Sequence, residues 1–412
     1  MIEIFNVNNK KYVFNGNTFE LFEVYDQEEL LKYCEENKNV NTVNVNRDNF
    51  NLAKITINMA NKCNLKCRYC YAEYGNYGRS DAIMTKETID KIIEFLKNKH
   101  IKNIGIISFF GGEPLINYNL IKYSILKFEQ NFQAIHNYEI TTNSIFLNKN
   151  QLNFFSNYNV NIVLSLDGPK DITDYLRGYG VYDKVMEAFE MIMEMNYTKF
   201  EFSATYTNTH LKYGYSYEDI DNFFKKMCVK YNISKVLIDE DSEFYISDIL
   251  TVPQFRNIII DDINSIYNNK NKVLNPYLYR MLTSIFLDVR SYNFCDDLNE
   301  NVSLSFDYNG DVYNCFRFWG DADYVIGVPN NLKYKNDKNN FKSCQNCWAK
   351  YLCKECIAEI LNGNSKYPFS MDNCSSKFMY RICLEEFINF IDKKIDIERF
   401  SNNFLNFIRY QI

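Results

Sequence analysis

The sequence lacks the residues and patterns on which several common enzyme classes depend. It contains 3 histidines, none of them beside a cysteine group, and no GxSxG, HExxH or P-loop pattern. Histidine acid–base chemistry and nucleoside triphosphate cleavage therefore have no candidate residues. The formal net charge is -6 and the isoelectric point is about 5.4. Because phosphate binding needs a basic face, we expect no nucleic-acid partner.

Long apolar runs are also missing. No uninterrupted apolar stretch could span a bilayer, and the amino-terminal segment MIEIFNVNNKKYVF lacks the charged-then-apolar order of a signal peptide. We therefore expect a cytoplasmic protein with no membrane partner. The chain has 13 cysteines, and without an export signal these thiols predict metal ligation rather than disulfides. Its 412 residues suffice for about two or three domains.

The most informative feature present is a group of three cysteines, Cys63, Cys67 and Cys70, in the segment KCNLKCRYCYA. One short loop with this spacing can aim all three sulfurs at one point. Three thiolates on a cubane iron–sulfur cluster leave its fourth iron open to a small molecule, whereas a fully ligated cluster takes four. A zinc knuckle is the alternative, but structural zinc sites usually pair closely spaced thiols with a second, distant pair.

Apolar runs alternate with amphipathic helical stretches from Lys54 onward, which is the pattern of parallel strands joined by crossover helices. The predicted strands are Lys54–Met59, Asn103–Phe109, Tyr138–Thr141, Asn161–Leu166, Phe200–Tyr206 and Lys235–Asp239. The predicted helices are Lys86–Lys99, Leu120–Phe132, Gln151–Ser156, Tyr182–Met195 and Tyr217–Tyr231. Six such units predict an α/β fold, a partial parallel (β/α)6 barrel open on one side. Catalytic groups of parallel barrels lie in the loops after the strands.

The notable motifs each follow one of these predicted strands. In strand order they are Cys63 to Cys70, then Gly111, Gly112 and Glu113, then Thr142 and Asn143, and then Ser165, Asp167 and Gly168. Paired glycines let a backbone approach a ligand closely, although the same residues also punctuate ordinary turns. The pattern predicts one site at the carboxyl ends of the strands.

At the cysteine triplet the chain resembles the radical S-adenosylmethionine (SAM) superfamily, whose signature has this spacing and an aromatic residue before the third cysteine, here Tyr69. The resemblance implies a [4Fe-4S] cluster on Cys63, Cys67 and Cys70 that binds SAM. The GGEP stretch is similar to the family segment that binds the methionyl amino group through backbone carbonyls and the Glu113 carboxylate.

The same resemblance implies further SAM contacts. Ser165 and Arg177 match positions that contact the SAM carboxylate or ribose, Thr142 and Asn143 match ribose or methionine contacts, and Tyr69 is expected near the adenine. Arginine suits carboxylate binding because its planar fork stays charged. Any of these residues could instead be an ordinary loop or core group. Asp167 is expected to cap the turn at Asp167–Gly168 without touching substrate.

The carboxy-terminal region carries a second group of cysteines. The segment VSLSFDYNGDVYNC predicts a hairpin around Asn309–Gly310, with Cys315 carried by its second strand. This hairpin and the dense run CQNCWAKYLCKEC resemble the SPASM extension of radical SAM peptide maturases. The resemblance implies one auxiliary [4Fe-4S] cluster on Cys344, Cys347, Cys353 and Cys374, and a second on Cys295, Cys315 and Cys356. Three [4Fe-4S] clusters are thus expected.

Two departures from the SPASM pattern bear on the second cluster. The interval from Cys353 to Cys356 is one residue shorter than the family's, and no fourth ligand is evident upstream. The fourth iron could be open, or it could be reached by Cys383 or by a substrate thiolate. A pair of zinc ribbons fits the CxxC spacings about as well. Cys34 and Cys228 are expected to be buried structural thiols.

Together these features predict a radical enzyme that acts on a ribosomally made precursor peptide with a leader and takes electrons from a flavodoxin or ferredoxin. The resemblance implies a 5′-deoxyadenosyl radical, auxiliary clusters as electron acceptors, and a Cys-to-carbon thioether as in ranthipeptide and sactipeptide maturases. Sulfatase-maturating relatives carry aspartate at the position of Phe316, which disfavours formylglycine formation. Carbon–carbon crosslinking, epimerisation, and a non-catalytic iron–sulfur or zinc protein stay open.

The predicted domain organisation has four parts: a small amino-terminal appendage over 1–50, a radical SAM partial barrel over 51–290, a SPASM domain over 291–380 and a carboxy-terminal helix over 381–412. The appendage is predicted to contain strands Ile2–Val7, Lys11–Phe14 and Thr18–Val24 and a helix Gln27–Glu36. Strands followed by a helix are compatible with a reduced leader-recognition element, in which a leader would add to a sheet edge.

Overall fold

The computed structural model describes residues 1–25, 28, 32–33, 52–239, 241–246, 251–270, 272–292, 294, 302–326, 338–353, 356, 374–393 and 396–411. Cys34, Cys295 and most of the predicted helix Gln27–Glu36 lie outside these residues. The chain packs into two compact units. We call residues 48–249 with 301–335 the sheet unit, and residues 1–47, 250–300 and 336–412 the terminal unit.

The described residues form the following strands and helices. The strands are β1 Ile2–Val7, β2 Lys10–Asn15, β3 Leu21–Val24, β4 Leu52–Asn61, β5 Ala82–Ile83, β6 Asn103–Gly111, β7 Ala134–Thr142, β8 Val160–Ser165, β9 Phe200–Tyr206, β10 Tyr231–Lys235, β11 Val302–Phe306 and β12 Val312–Tyr313. The helices are α1 Lys86–Asn98, α2 Tyr118–Asn131, α3 Lys149–Asn157, α4 Lys170–Arg177, α5 Val181–Glu194, α6 Asn208–Lys212, α7 Tyr217–Lys226, α8 Val252–Tyr267, α9 Pro276–Leu287, α10 Lys342–Gln345, α11 Ser375–Ile391 and α12 Ile397–Gln411.

The sheet unit is built on one mainly parallel sheet. Its strand order is β10-β9-β8-β7-β6-β4-β11-β12, and β5 pairs with β4 off this path. All neighbours from β10 to β11 are parallel, whereas β12 and β5 are antiparallel to their partners. The predicted alternation of six parallel strands with helices is confirmed. The strands of this path that the structure describes form an open order, because β10 and β12 do not pair with each other.

The sixth strand lies four residues earlier than predicted. The apolar run after Lys235 suggested the strand Lys235–Asp239, but β10 pairs with β9 from Tyr231 to Lys235. Val236 still donates its N–H to the Tyr206 carbonyl at 2.9 Å. Apolar character failed to locate the strand because Val236 is buried beyond the paired segment, in the wall of a cavity.

The helices of the sheet unit are amphipathic and cover the sheet. α1 buries Ile89, Ile92 and Leu96, and its N-cap Thr85 accepts a hydrogen bond from the Thr88 N–H. The strands contribute fully buried residues such as Ile107, as expected for parallel strands covered on both faces. This packing fixes the carboxyl ends of the strands, from which the motif loops emerge.

The predicted hairpin around Asn309–Gly310 is confirmed as β11 and β12, but Cys315 lies two residues beyond the second strand and not on it. Its turn is held by Asp307, whose carboxylate accepts hydrogen bonds from the N–H groups of Asn309 and Asp311. Gly310 has a φ of +92°, a conformation that favours glycine. Because β11 also pairs in parallel with β4, the residues after β12 lie in the same unit as the cysteine triplet.

The terminal unit combines a small antiparallel sheet with helices. Its sheet has the order β1-β2-β3, and its core includes Phe5 and Phe14, whose rings lie 5.9 and 5.7 Å from the Trp348 ring. Where one carboxy-terminal helix was predicted over 381–412, the structure has two, α11 and α12. Both pack against α8, which explains the apolar spacing along this segment. None of the described helices is long and apolar enough to cross a membrane.

Candidate active site

A cavity of about 320 Å³ lies at the carboxyl ends of the strands in the sheet unit. Pockets that bind small molecules typically have volumes of about 300–1,000 Å³. The predicted site residues among its lining are Cys63, Cys67, Tyr69, Cys70, Gly111, Gly112, Glu113, Thr142, Asn143, Ser165 and Arg177. They come from the loop after β4, from the ends of β6 and β7 and the residues that follow, and from the ends of β8 and α4. The structure thus brings all the residues predicted for the first cluster and for SAM to one space.

The cysteine triplet forms one wall of this cavity. Cys63 Sγ accepts hydrogen bonds from the Leu65 N–H at 3.3 Å and from Asn143 Nδ2 at 3.6 Å. The loop is also fixed to the end of α4, since the Arg68 N–H donates to the Leu176 carbonyl at 2.9 Å. Burial raises the pKa of Cys63 to about 11 and that of Cys67 to about 12. Without a metal, Cys63 and Cys67 are therefore neutral thiols, and a bound metal would have to displace their protons.

The donor set fits an iron–sulfur cluster better than a single ion. Within the described ranges, no group of three or more His, Cys, Asp or Glu side chains is arranged to hold one metal ion. This finding concerns a single ion and does not test the prediction that the three sulfurs bind one cluster. Thiolates of a cubane cluster each bind a different iron, so they need a shared space instead. Cys63, Cys67 and Cys70 provide this by lining one cavity.

The glycines of the GGEP stretch are required by backbone packing. A Cβ on Gly112 would lie 2.2 Å from the Lys62 carbonyl oxygen, and one on Gly111 would lie 2.5 Å from Asn58 Oδ1. Gly75 packs closely on Gly112 in the same way, with its would-be Cβ 2.6 Å from the Gly112 Cα. Close approach thus requires these glycines, and the approaching groups are strand β4 for Gly111 and the loop after β4 for Gly112.

Glu113 lies at the centre of a buried network. Its carboxylate accepts hydrogen bonds from Thr142 Oγ1 at 2.8 Å, the Asn143 N–H at 2.8 Å and the Leu115 N–H at 3.0 Å. Burial raises the pKa of Glu113 to about 7, although these three donors oppose the shift. A carboxylate has about four lone-pair positions, so one acceptor position remains for a ligand ammonium. Glu113 also joins the loops after β6 and β7.

Arg177 has a protein partner that the sequence did not indicate. Its Nε and Nη2 donate to Asp167 Oδ2 and Oδ1, both at 2.8 Å, and both side chains are buried. Burial disfavours the charge on Arg177, but the Asp167 carboxylate outweighs it and holds the Arg177 pKa well above its ordinary value. Because a guanidinium has five N–H donors, Arg177 keeps donors for the cavity that it lines.

Asp167 is the residue whose importance the sequence analysis missed. In place of a simple turn cap, its carboxylate accepts hydrogen bonds from Arg177, from the Tyr69 hydroxyl at 2.8 Å and from the Thr205 N–H at 3.0 Å. His210 Nε2 lies 3.0 Å from the Asp167 carbonyl oxygen. The only available signal was an aspartate at the end of a strand, which a turn explains equally well. Asp167 joins the cysteine loop, through Tyr69, to β9 and α4.

Another part of the wall is aromatic and basic, and only one of its residues had been predicted. Phe316 lines the cavity with its ring 4.8 Å from that of Phe110. Arg317 follows it, with its guanidinium 4.6 Å from the Tyr71 ring centroid. The family pattern includes the position of Phe316 but gives no signal for Arg317. Both residues follow β12, on the side of β4 opposite to β6.

The auxiliary cysteines divide between the two units. Cys315 belongs to the sheet unit, whereas Cys344, Cys347, Cys353, Cys356 and Cys374 belong to the terminal unit. Burial raises the pKa of Cys347 to about 11, and the nearby Cys374 and Cys344 thiols contribute to this shift. Three of the four ligands predicted for the first auxiliary cluster thus interact electrostatically, and the Cys347 N–H donates to the Cys344 carbonyl at 3.2 Å. Cys295 lies outside the described residues, so the second ligand set stays a prediction.

Two other cysteines differ in their surroundings. Cys383 is fully buried among the apolar side chains of the terminal unit, where it acts as a core residue. Cys228 was expected to be buried, but it is exposed after the end of α7. Cys228 lies two residues beyond that helix and has a left-handed φ of +55°.

Comparisons with known proteins agree with this site. A model of the radical SAM superfamily matches residues 57–227. The chain is 26% identical over 368 residues to the radical SAM cyclopropyl synthase TigE of Paramaledivibacter caminithermalis, covering 79% of this chain and 72% of TigE. It is 24% identical over 326 residues to a cysteine-type anaerobic sulfatase-maturating enzyme of Clostridium perfringens, covering 71% of this chain and 85% of that enzyme.

Solved structures show the same fold. Native anSMEcpe with bound AdoMet and Kp18Cys peptide superposes with a TM-score of 0.60 at 19% identity, covering 86% of this chain and 99% of anSMEcpe. Streptococcus suis SuiB bound to S-adenosylmethionine gives a TM-score of 0.53 at 14% identity, covering 88% and 95% of the two chains. At these identities the structures establish the fold alone.

Proposed function

This chain is a radical SAM enzyme whose radical SAM domain spans residues 57–227, and from that premise we propose that it modifies a carbon atom of a peptide. The observation that carries the proposal is the single cavity, which joins the cysteine triplet, the GGEP loop and an aromatic wall. In this proposal the triplet and the GGEP loop hold the cofactors, and the aromatic wall faces the substrate. The relatives named for reactions on peptides or proteins support a peptide substrate.

The residues present fit the cofactors of such an enzyme. Cys63, Cys67 and Cys70 would hold a [4Fe-4S] cluster, and Glu113 would accept a hydrogen bond from the SAM ammonium group. When bound, SAM and the clusters would supply the one-electron chemistry: SAM cleavage to a hydrogen-abstracting radical, and acceptance of the electron left on the substrate. Asn143 fixes both the Cys63 thiol and the Glu113 carboxylate, so it sets the relative position of these two binding groups.

Arg177 and Tyr69 each use part of their side chain to bond Asp167. The remaining part of each side chain would contact SAM. The Arg177 pair with Asp167 uses two N–H groups, and a third can reach a carboxylate or ribose oxygen across the cavity. The Tyr69 hydroxyl donates to Asp167, so Tyr69 would contact the adenine with its ring alone. Ser165 and Thr142 line the same side and would complete the ribose and methionine contacts.

We propose a Cys-to-carbon thioether as the bond formed. One C–H and one S–H bond of the peptide break, one C–S bond forms, and two hydrogen atoms are lost overall. Cys344, Cys347, Cys353 and Cys374 would hold one auxiliary cluster, and Cys295, Cys315 and Cys356 a second, as electron acceptors. The proximity of Cys344 and Cys374 to Cys347 supports the first of these sites.

A carbon–carbon bond is the second candidate. The relative that covers 79% of this chain is named a cyclopropyl synthase, and closing such a ring within one residue also removes two hydrogen atoms. Formylglycine formation is a third, supported by the sulfatase-maturating relative. Among the described lining residues Glu113 is the one carboxylate, so this third reaction would need a base from outside the described cavity wall.

The experiment uses the full chain, reconstituted anaerobically with iron and sulfide and reduced with dithionite in the presence of SAM. We expect 5′-deoxyadenosine from the wild type and from Cys228→Ala, and none from Cys63→Ala. Cys228 is a matched control because it is exposed and does not line the cavity. The absence of 5′-deoxyadenosine from reconstituted wild-type protein would refute the proposal.

The bond is identified with peptides encoded by short reading frames beside the gene. A thioether gives a mass loss of two hydrogen atoms and one thiol fewer that reacts with iodoacetamide. A carbon–carbon bond gives the same mass loss with every thiol still reactive. Conversion of cysteine to formylglycine removes sulfur from the peptide. These three outcomes separate the candidates.

We also propose that residues 1–50 bind the leader of the precursor peptide. In the described part of this segment β3 is the last strand of a three-stranded antiparallel sheet, and an extended peptide can add to such an edge. Addition of a leader peptide should slow amide hydrogen exchange in Leu21–Val24. Unchanged exchange there at a saturating leader concentration would contradict this assignment.

A further inference from the structure

Arg317 stands out on the cavity wall because its charge has no acidic partner among the described residues. Its guanidinium lies 4.6 Å from the Tyr71 ring centroid and 5.8 Å from that of Phe316. In the same unit, Arg177 pairs with Asp167, and Arg79 pairs with Asp307 at 2.9 Å. Arg317 thus differs from these two arginines, which serve to fix neighbouring elements.

The aromatic side chains beneath Arg317 form a continuous packed group. Phe316 packs on Phe110 with ring centroids 4.8 Å apart, and the Tyr71 ring lies 6.0 Å from that of Tyr77. Tyr77 in turn packs on the buried Trp319 at 5.4 Å. A guanidinium stacked on an aromatic face keeps the N–H donors at its edge available. The packing therefore places Arg317 without using the groups that would bind a ligand.

The charge around Arg317 favours an anion. Glu113 is the one carboxylate among the described lining residues, and it accepts its hydrogen bonds from Leu115, Thr142 and Asn143. The same lining contains three basic residues, Arg177, Lys235 and Arg317. A planar guanidinium suits a carboxylate because the two can form parallel hydrogen bonds.

Strand order separates Arg317 from the predicted SAM contacts. Glu113 follows β6, and Thr142 and Ser165 end β7 and β8, all on one side of β4, whereas Arg317 follows β12, on the other side. The cysteine loop after β4 stands between the two groups. A carboxylate bound to Arg317 would therefore belong to the substrate, which shares the cavity with SAM, and not to SAM itself.

We propose that Arg317 binds a carboxylate of the peptide substrate, which lies against Tyr71 and Phe316 beside the residue that is modified. This inference rests on the proposed function and narrows its substrate class to peptides with an acidic group at a fixed position. The carboxylate can come from an aspartate or glutamate side chain or from the carboxyl terminus. Arg317 is thereby a specificity-determining residue for the reaction.

The test is an affinity selection with two synthetic libraries of N-acetylated random decapeptides, one with amidated and one with free carboxyl termini. The bait is the full chain, reconstituted and saturated with SAM, as wild type, Arg317→Gln and Arg317→Glu. Arg399→Gln is the matched control, because Arg399 also stacks on a tyrosine, 4.5 Å from the Tyr267 ring, but does not line the cavity.

We expect the wild type and Arg399→Gln to enrich acidic peptides over their amide analogues by about tenfold or more, which corresponds to about 1.4 kcal/mol. Arg317→Gln should lose this preference and Arg317→Glu should reverse it toward basic peptides, while SAM binding stays within about twofold of the wild type. Enrichment in the amidated library assigns the carboxylate to a side chain. Enrichment in the free-acid library alone assigns it to the carboxyl terminus.

Three results would overturn the inference. The wild type could show no acidic preference, the Arg317 variants could keep the wild-type preference, or the variants could lose SAM binding with an unchanged peptide profile. If wild-type protein still forms 5′-deoxyadenosine, the proposed function survives each of these results. If no peptide is enriched and no 5′-deoxyadenosine forms, both fail.

Discussion

The guanidinium of Arg177 and the carboxylate of Asp167 form a two-pronged ion pair, with both hydrogen bonds 2.8 Å long and both groups buried. Tyr69, one residue before Cys70, donates its hydroxyl to the same carboxylate. A single aspartate therefore connects α4 with the loop that carries the cysteine triplet. The position of the predicted cluster ligands depends on a charge pair that is itself outside the ligand set.

Asp167→Asn should be strongly destabilising, because it leaves the buried Arg177 charge without its partner. Loss of one member of a buried ion pair typically costs about 3–5 kcal/mol. Urea unfolding of the metal-free protein measures this loss. The control is Asp183→Asn, which breaks an exposed contact with Lys170 and should leave the unfolding midpoint unchanged. Equal midpoints for the two variants would contradict a structural role for Asp167.

Glu113 should make the stability of the metal-free protein depend on pH. Burial raises its pKa from 4.5 to about 7 in the folded chain, whereas the unfolded chain keeps the ordinary value. The folded state then binds the proton more tightly, so the stabilisation present below pH 4.5 is lost as the pH rises through about 7. The full effect is at most about 3 kcal/mol.

Glu113→Gln should remove this part of the pH profile, as measured by urea unfolding at several pH values. Glu190→Gln is the control, because Glu190 lies exposed on α5. It should keep the wild-type slope. A Glu113→Gln profile parallel to that of the wild type would show that the carboxyl titrates normally despite its burial.

Gly112→Ala should disturb the cysteine loop. The new Cβ would lie 2.2 Å from the Lys62 carbonyl oxygen, and a backbone atom cannot move aside as a flexible side chain can. Overpacking of this kind typically costs about 1–3 kcal/mol. Because Lys62 directly precedes Cys63, the iron content after reconstitution should fall as well.

Gly180→Ala serves as the comparison for Gly112→Ala. Its Cβ would meet no heavy atom within 4 Å, although Gly180 has a φ of +79°. The left-handed conformation should cost about 1–2 kcal/mol, with normal iron loading. If both variants load iron equally, the close contact between Gly112 and the loop does not control the cluster site.

Arg79→Met should loosen the hairpin that precedes Phe316 and Arg317. Arg79 Nη1 lies 2.9 Å from Asp307 Oδ2, and the Asp307 side chain is fully buried. Loss of the pair leaves a buried charge with fewer partners, at a cost of roughly 1–3 kcal/mol. Amide hydrogen exchange of residues 302–313 should accelerate, as measured by mass spectrometry.

Arg79→Lys should restore slow exchange in this hairpin. The structure gives Arg79 Nε and Nη2 no hydrogen-bond partner among the described residues. A lysine ammonium group can therefore replace Nη1, the one nitrogen that pairs with Asp307. Exchange in Arg79→Lys as fast as in Arg79→Met would mean that the shape of the guanidinium, rather than its charge, holds the hairpin.

Much of the framework could be predicted from sequence because its signals are local. The alternation of apolar runs and amphipathic helices located five of the six parallel strands close to their observed positions, and Asn309–Gly310 located the hairpin. The sixth strand was misplaced because Val236 is buried in a cavity wall, and hydrophobicity alone does not distinguish such a residue from a strand residue.

The site was predictable as a set of residues but not as a set of contacts. Glu113 and Arg177 both line the cavity. However, Glu113 accepts hydrogen bonds from Thr142 and Asn143, and Arg177 donates to Asp167. Asp167 and Arg317 gave little signal, because an aspartate in a turn and an arginine after a hairpin are common. Asp167 and Arg317 acquire their roles only because the fold buries Asp167 and brings residues from distant parts of the sequence next to both side chains.

The sequence by itself determined the parallel α/β framework and the spacing of the thiols, because strand periodicity and short loops depend on neighbouring residues. Only the tertiary structure decided that Tyr69, Asp167 and Arg177 form one network, although 98 positions separate the tyrosine from the aspartate. It also decided that Phe316 and Arg317 share a cavity with the cysteine triplet. The second of these arrangements follows from the pairing of β11 with β4, a long-range event that no local pattern specifies.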